Sequence, residues 1–247
     1  MNLVPAATLS IDELAALFNA GYEGYVVPFR VETSQLQNMI AAWHIDLARS
    51  RIAPGEGVAL LGIRGERGWI GGLGVVPAAR RRGVGRALMD AVLDQAPPEV
   101  TLEVIEQNEP AIRLYEDLGF ERVRILEVWS LDAEAPDPGN VREGEPAPVG
   151  ERDLPWQRAD ASLRPGYERL EIDGGAAVIR GADGIVSLLQ LRAEHPEAAR
   201  ALVAAARARG TGLRFVNVPE GHLGAAAIAE LGGKLDLRQF EMKLRRA

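Results

Sequence analysis

The stretch Gly74-Val75-Val76-Pro77-Ala78-Ala79-Arg80-Arg81-Arg82-Gly83-Val84-Gly85-Arg86-Ala87-Leu88 contains the residue types best suited to holding a phosphate. Its pattern reads as a strand end, a turn, and a helix that starts inside a glycine-containing loop. The first four amides of a helix have no intrahelical acceptor, and the helix dipole puts partial positive charge at that end. Glycines at 83 and 85 remove the Cβ atoms that would hold an anion off the backbone, and the neighbouring arginines add counter-charge. The chemistry expected here is a pyrophosphate cradle. Two rival nucleotide motifs fail. A Walker loop needs Gly-Lys-Ser/Thr after Gly and four residues, and the chain has none. A dinucleotide fingerprint needs a third glycine where Leu88 stands. The plain alternative is a helix start with a solvated basic face.

The elements that must position this loop are legible on either side of it. Ser10 and Glu13 form a capping box ahead of an apolar stripe, Ile11, Leu14, Ala15 and Phe18, which predicts a helix to Ala20. A loop from Tyr22 to Pro28 leads to a second amphipathic helix over Thr33–His44. Strand-like runs follow at Asp46–Ile52, Val58–Arg64 and Trp69–Val75, separated by turn residues. After the glycine loop come a helix through Gln95, a strand at Val100–Ile105, a helix from Asn108 to Gly119, and a strand at Phe120–Leu131.

The bulk composition sets limits. The 247 residues are 47% hydrophobic and 26% charged, enough for one large domain or two small ones. No apolar run reaches the roughly 20 residues that cross a bilayer. Nothing in Met1–Pro5 reads as a secretory leader. Cysteine is absent, which excludes disulfides, thiolate metal sites and a cysteine acyl-enzyme, and suits a cytoplasmic protein. The net charge of -7 argues against a nucleic-acid partner and fits a cationic or neutral one. No metal-ligating cluster is visible: His195 and His222 have no ligand-like neighbours, and His44 ends a helix as a C-terminal charge partner or by simple packing.

Prolines crowd the stretch between Pro136 and Pro155, a linker composition. Beyond it the order repeats in reduced form: strands at Tyr167–Ile172, Ala176–Arg180 and Ile185–Gln190, a helix at Pro196–Arg209, a strand at Leu213–Val218, a helix at Leu223–Leu231 and a strand at Arg238–Leu244. Leu118-Gly119-Phe120 is echoed by Leu231-Gly232-Gly233. The expected organisation is a domain over 1–133, a linker over 134–154, and a reduced second copy over 155–247.

Arg80-x-x-Gly83-x-Gly85 after Gly74-Val75-Val76-Pro77, followed by Leu102-Glu103-Val104 and Asn108-x-x-Ala111-x-x-Leu114-Tyr115-x-x-x-Gly119-Phe120, resembles the GNAT superfamily of N-acetyltransferases over about Ile11–Leu131. The resemblance implies a mixed-sheet α/β (α+β) fold, duplicated here, whose central strands splay apart to admit the pantetheine arm of acetyl-CoA. It implies that the backbone of Leu73, Gly74 and Val75 pairs with the pantetheine, and that Arg80, Arg81, Arg82, Gly83, Val84, Gly85 and Arg86 cradle the pyrophosphate. Asn108 would contact the cofactor or cap its helix. The glycines at 71, 72 and 74 suit close backbone approach or a bulge. In the second copy, Leu191-Arg192-Ala193-Glu194-His195-Pro196-Glu197 replaces the loop. It has no glycine and two carboxylates, so this copy is expected not to bind acetyl-CoA.

Acetyl transfer to an amine needs two proton movements. An alkyl ammonium, pKa about 10.4, must lose a proton before attack. The leaving thiolate, with a parent pKa of about 8.5, benefits from a donor. The resemblance nominates Glu103 as base and Tyr115 as donor. The plain alternatives are a strand carboxylate in an ion pair and a packed helix tyrosine. It also nominates Tyr22, Glu23 and Tyr25, in the loop between the first two helices, as an acceptor wall. Two functions remain open: an N-acetyltransferase working by direct transfer, and a non-catalytic acyl-CoA-binding or interaction protein. The expected partners are acetyl-CoA and a small-molecule or peptide amine, with no metal, nucleic acid or membrane. The assembly expected is a monomer built as a two-domain pseudo-dimer, or a homodimer, with the strand Arg238–Leu244 near the first domain's terminal strands.

Overall fold

A computed structural model describes residues 1–182 and 184–246. The chain divides into two compact units, one comprising Met1–Val123 and the residues from Glu241 onward, the other Arg124–Phe240.

The first unit contains β1 (Val4–Pro5), α1 (Ile11–Gly21), α2 (Thr33–Ala42), β2 (Arg51–Ala53), β3 (Gly57–Arg64), β4 (Arg67–Val75), α3 (Val84–Leu93), β5 (Glu99–Ile105) and α4 (Glu109–Asp117). Its sheet runs β1-β2-β3-β4-β5. The Ser10–Glu13 capping box starts α1 as expected. The run Asp46–Ile52 is a strand only from Arg51. The Asp46 carboxylate accepts from the amides of Ala48 and Arg49 at 2.9 and 3.0 Å, so a side-chain turn outcompetes extended pairing there. β3 and β4 are antiparallel, whereas β4 and β5 are parallel from Arg67↔Glu99 to Ile70↔Leu102. The β3–β4 register shifts between Leu60 and Leu61, which leaves Gly71 as the extra residue of a bulge. A Cβ on Gly71 would lie 2.5 Å from the Trp69 ring.

Beyond the bulge, alternation along β4 divides its neighbours. Gly72 and Gly74 face the end of α1: added Cβ atoms would meet Phe18 at 2.9 Å and Gly21 at 3.2 Å. Leu73 and Val75 face the other way, toward Gly85 at the start of α3. Val84, Leu88, Met89 and Val92 form the buried stripe of α3. The chain's last residues lie in this unit too. Lys243 and Arg245 pair with Glu99 at 3.2 and 3.3 Å, and the Arg246 amide donates to the Pro98 carbonyl at 2.9 Å. The terminal strand was read as part of a second copy from 155 onward. Its end has these partners because a strand continues wherever an edge offers backbone acceptors.

The second unit contains most of β6 (Glu121–Leu131), then β7 (Arg142–Gly144), β8 (Glu168–Ile172), β9 (Gly175–Ala182), β10 (Ile185–Ala193), α5 (Pro196–Arg207), β11 (Gly212–Pro219), α6 (Leu223–Glu230) and the first part of β12 (Lys234–Arg245). Its sheet runs β6-β11-β10-β9-β8-β7. The proline-rich stretch over 134–154 contains ordered structure. It holds β7, paired with β8, and the buried Val149: Arg142–Gly144 is a proline-free run that pairs at the sheet edge. β9 and β10 are antiparallel and β10 and β11 parallel, up to Leu188↔Phe215, with Leu189 the extra residue of a bulge. Leu202, Val203 and Ala206 of α5 and Ile228 of α6 pack with Leu188 and Phe215 in a core of this unit.

Candidate active site

In the first unit the parallel ladder of β4 and β5 stops at Ile70↔Leu102, and Glu103 is the next residue on β5. Its Oε2 accepts a hydrogen bond from the Trp69 indole at 2.8 Å. Trp69 is buried, and the Trp43 ring meets it edge-on at 5.5 Å. Sequence reasoning missed Trp69 as a partner. It lies 34 residues from Glu103, and only parallel pairing of the two strands brings them together.

The loop before α3 turns through two left-handed residues, Arg81 at φ 61° and Gly83 at φ 81°. Gly83 is the N-cap and supplies no side chain to the first amides of α3. A Cβ on Gly85 would come within 3.6 Å of Leu114 and Val75, so the glycine keeps that surface low. The arginines differ in their commitments. Arg82 pairs with Glu56 at 3.2 Å and Arg86 with Asp90 at 3.2 Å, both exposed pairs of small energetic weight. Arg80, expected among the pyrophosphate ligands, instead turns its guanidinium onto backbone. Nε donates to the Val75 carbonyl at 2.9 Å, and Nη2 to the carbonyls of Gly21 and Glu23. Hence the Val75 carbonyl, one of the expected pantetheine partners, already has a donor.

Asn108 caps α4, its side chain accepting from the Ala111 amide at 3.4 Å, and its Nδ2 faces the Tyr25 hydroxyl at 3.5 Å. The capping role is thus present, with Tyr25 a neighbour. Tyr115 is buried on α4 near Phe120. Burial pushes its hydroxyl well above the usual phenol range, and Tyr22 and Tyr25 push it further. The Tyr22 hydroxyl is also raised, first by burial and then by Tyr25, while a hydrogen bond with the Leu73 backbone acts against this. Tyr22 stacks on Phe18 at 4.7 Å, and Tyr25 and Phe29 meet it at 5.1 and 5.5 Å. The four-residue spacing of Phe18 and Tyr22 on one helix face was the sequence signal for that stack. Glu23 is exposed and contributes its backbone carbonyl to Arg80.

The structure therefore brings Tyr22, Tyr25, Leu73, Asn108 and Tyr115 together. Glu103 stands at the point where β4 and β5 part, and Gly83 to Arg86 open α3.

In the second unit the corresponding parting of β10 and β11 is filled. The buried Arg158 donates from Nε to the Leu189 carbonyl at 3.0 Å and from Nη1 to the Asn217 carbonyl at 3.3 Å. Its Nη2 binds the Glu151 carboxylate at 2.9 Å, and the guanidinium lies 4.4 Å from the Phe215 ring centre. The buried Gln190 accepts from the Val149 amide and donates to the Arg158 carbonyl and the Asp160 carboxylate. His222 joins Glu151 at 3.2 Å while its Nδ1 caps α6. His195 caps α5. A cavity of about 270 Å³ near Leu163, Tyr167 and Val178 lies in this unit, and none of the expected site residues line it. Among the described residues no group of His, Asp and Glu is placed to hold a metal, and no helix is long and apolar enough to cross a membrane.

Residues 23–120 match the Acetyltransferase (GNAT) family. The chain is 42% identical over 62 residues to the peptidyl-lysine N-acetyltransferase YiaC of Escherichia coli (strain K12), covering 25% of this chain and 40% of that protein. It thus spans about two fifths of the length of that curated relative. Among solved structures, a GCN5-related N-acetyltransferase from Sphaerobacter thermophilus superposes with a TM-score of 0.70 at 15% identity, over 99% of this chain and 95% of that one. A tandem GNAT protein from the clavulanic acid biosynthesis pathway gives 0.66 at 16% identity, over 99% and 98%. These structural likenesses speak for the fold, and they extend across both units. Within its first unit, residues 23–120, the chain is similar to the GNAT acetyltransferase family.

Proposed function

We propose that this protein is an acetyl-CoA-dependent N-acetyltransferase that transfers acetyl to a primary amine by direct attack in a ternary complex. The observation that carries the reading is the joint arrangement at the parting of β4 and β5. A glycine-bounded helix start follows β4, a strand carboxylate stands where the β4–β5 ladder ends, and a buried tyrosine lies near Tyr22, whose hydroxyl bonds the Leu73 backbone. Gly83, Val84, Gly85 and Arg86 would offer amides to the pyrophosphate, with Arg81 and Arg82 as nearby counter-charge. The strand edge at Leu73 and Gly74, with the Val75 amide, would meet the pantetheine.

The substrate amine nitrogen would attack the thioester carbonyl, forming the C–N bond as the C–S bond breaks. Glu103 would take the proton leaving the ammonium, directly or through water. Tyr115, held protonated by burial, would donate its proton to the departing thiolate. With no cysteine in the sequence, no thiol acyl-enzyme can intervene. Tyr22, Glu23 and Tyr25 would wall the acceptor side. The name of the E. coli relative puts a peptide lysine among the acceptors to test first.

We further propose that the second unit is a reduced copy that takes no acetyl-CoA, because Arg158 already occupies the two carbonyls flanking its strand parting. A CoA-release assay with acetyl-CoA and a panel of amines, including a lysine peptide and a peptide with a free N-terminus, tests the function. Amine-dependent release supports the enzyme. CoA binding by calorimetry without turnover across the panel would mark the protein as an acyl-CoA binder instead.

A further inference from the structure

Arg80 opens the arginine run, yet its surroundings are unlike those of a phosphate ligand. The carbonyls it meets belong to two separate segments. Val75 ends β4, and Gly21 and Glu23 lie at the end of α1 and in the loop carrying Tyr22 and Tyr25. A guanidinium presents several N–H groups in a rigid plane, and one arginine can therefore hold acceptors from two segments in fixed relation. The C-terminal carbonyls of α1 also carry the negative end of its dipole, which favours a cation there.

The same place shows two other signs of tight docking. An added Cβ on Gly21 would come within 2.8 Å of the Gly74 backbone, so helix end and strand meet with no side chain between them. Gly24 takes φ 67°, and its missing Cβ would face the Arg80 guanidinium at 3.9 Å.

We propose that Arg80 is a positioning residue. Its side chain fastens the α1–α2 loop to the end of β4 and thereby sets the wall formed by Tyr22 and Tyr25, rather than neutralising a phosphate. That the wall receives an acceptor rests on the N-acetyltransferase reading above; the fastening itself does not.

Three measurements on the 247-residue chain separate these ideas. Hydrogen exchange of Arg80→Met without ligand should show residues 22–29 exchanging at least tenfold faster, with α3 and β5 unchanged and Arg80→Lys intermediate. Calorimetry with CoA should give an affinity within about threefold of wild type. With a lysine-containing octapeptide as acceptor, KM for the peptide should rise roughly tenfold while kcat falls less than threefold. Unchanged exchange over 22–29, or a tenfold loss of CoA affinity, would overturn the assignment. If the wild-type protein failed to bind CoA, the N-acetyltransferase reading would fall, and the exchange data would still decide the role of Arg80.

Discussion

The two units part their strands in the same manner and fill the gap differently. In the first, the β4–β5 ladder ends at Ile70↔Leu102 and Gly71 bulges. In the second, the β10–β11 ladder ends at Leu188↔Phe215 and Leu189 bulges. Backbone topology is therefore common to both, and it does not by itself make a binding site. At the first parting the neighbouring helix starts with Gly83 and Gly85. At the second, Arg158 spans the carbonyls of Leu189 and Asn217, with Glu151 pairing its charge and His222 bound to Glu151 in turn. A buried guanidinium must be paired, and these partners make the filling self-sufficient.

The strongest test of the contrast is Arg158→Met. Taking one member from a buried pair should cost about 3–5 kcal/mol, read from urea unfolding. Calorimetry should still find one CoA site per chain, and the appearance of a second would break the comparison. Next in size, Gly85→Glu should weaken CoA binding at least about 100-fold, or about 2.7 kcal/mol, because a carboxylate would crowd and repel the pyrophosphate. Retained affinity would reduce the glycine loop to a plain helix start.

Tyr115→Phe should lower turnover about 10²-fold and leave CoA affinity within twofold, as expected for loss of a proton donor. Glu103→Gln keeps an acceptor for the Trp69 indole and should lower turnover roughly tenfold. If both variants turned over like wild type, the assigned roles would be wrong.

The smallest effect is acid sensitivity. Burial alone would raise the Glu151 carboxyl, but His222, Arg158 and the Leu191 amide hold it below its ordinary value of 4.5. A carboxyl lowered in the fold contributes stability in full above its unfolded value and loses it as pH falls through the folded one. Wild type should therefore lose stability in urea as pH drops below about 4.5, and Glu151→Gln should lose less over that range.

Local chemistry was legible in the sequence because its causes are local. The Ser10–Glu13 box, the Asn108 cap and the Gly119 helix stop each depend on residues within one or two turns. The glycine loop and the helix behind it followed for the same reason. Proline density hid β7, since composition reports average propensity and not whether an edge is free to pair. The Arg80 side chain was equally hidden, because adjacent arginines look alike until the fold gives one of them three carbonyls.

By itself, then, the sequence determined the longer helices and strands, the glycine-opened helix and the candidate residues at either end of it. Tertiary structure alone decided that Glu103 meets Trp69, that three tyrosines from two segments converge, and that Arg158 closes the second parting. Each of these joins residues far apart in the chain, and strand register and packing set their distances where no local spacing rule reaches.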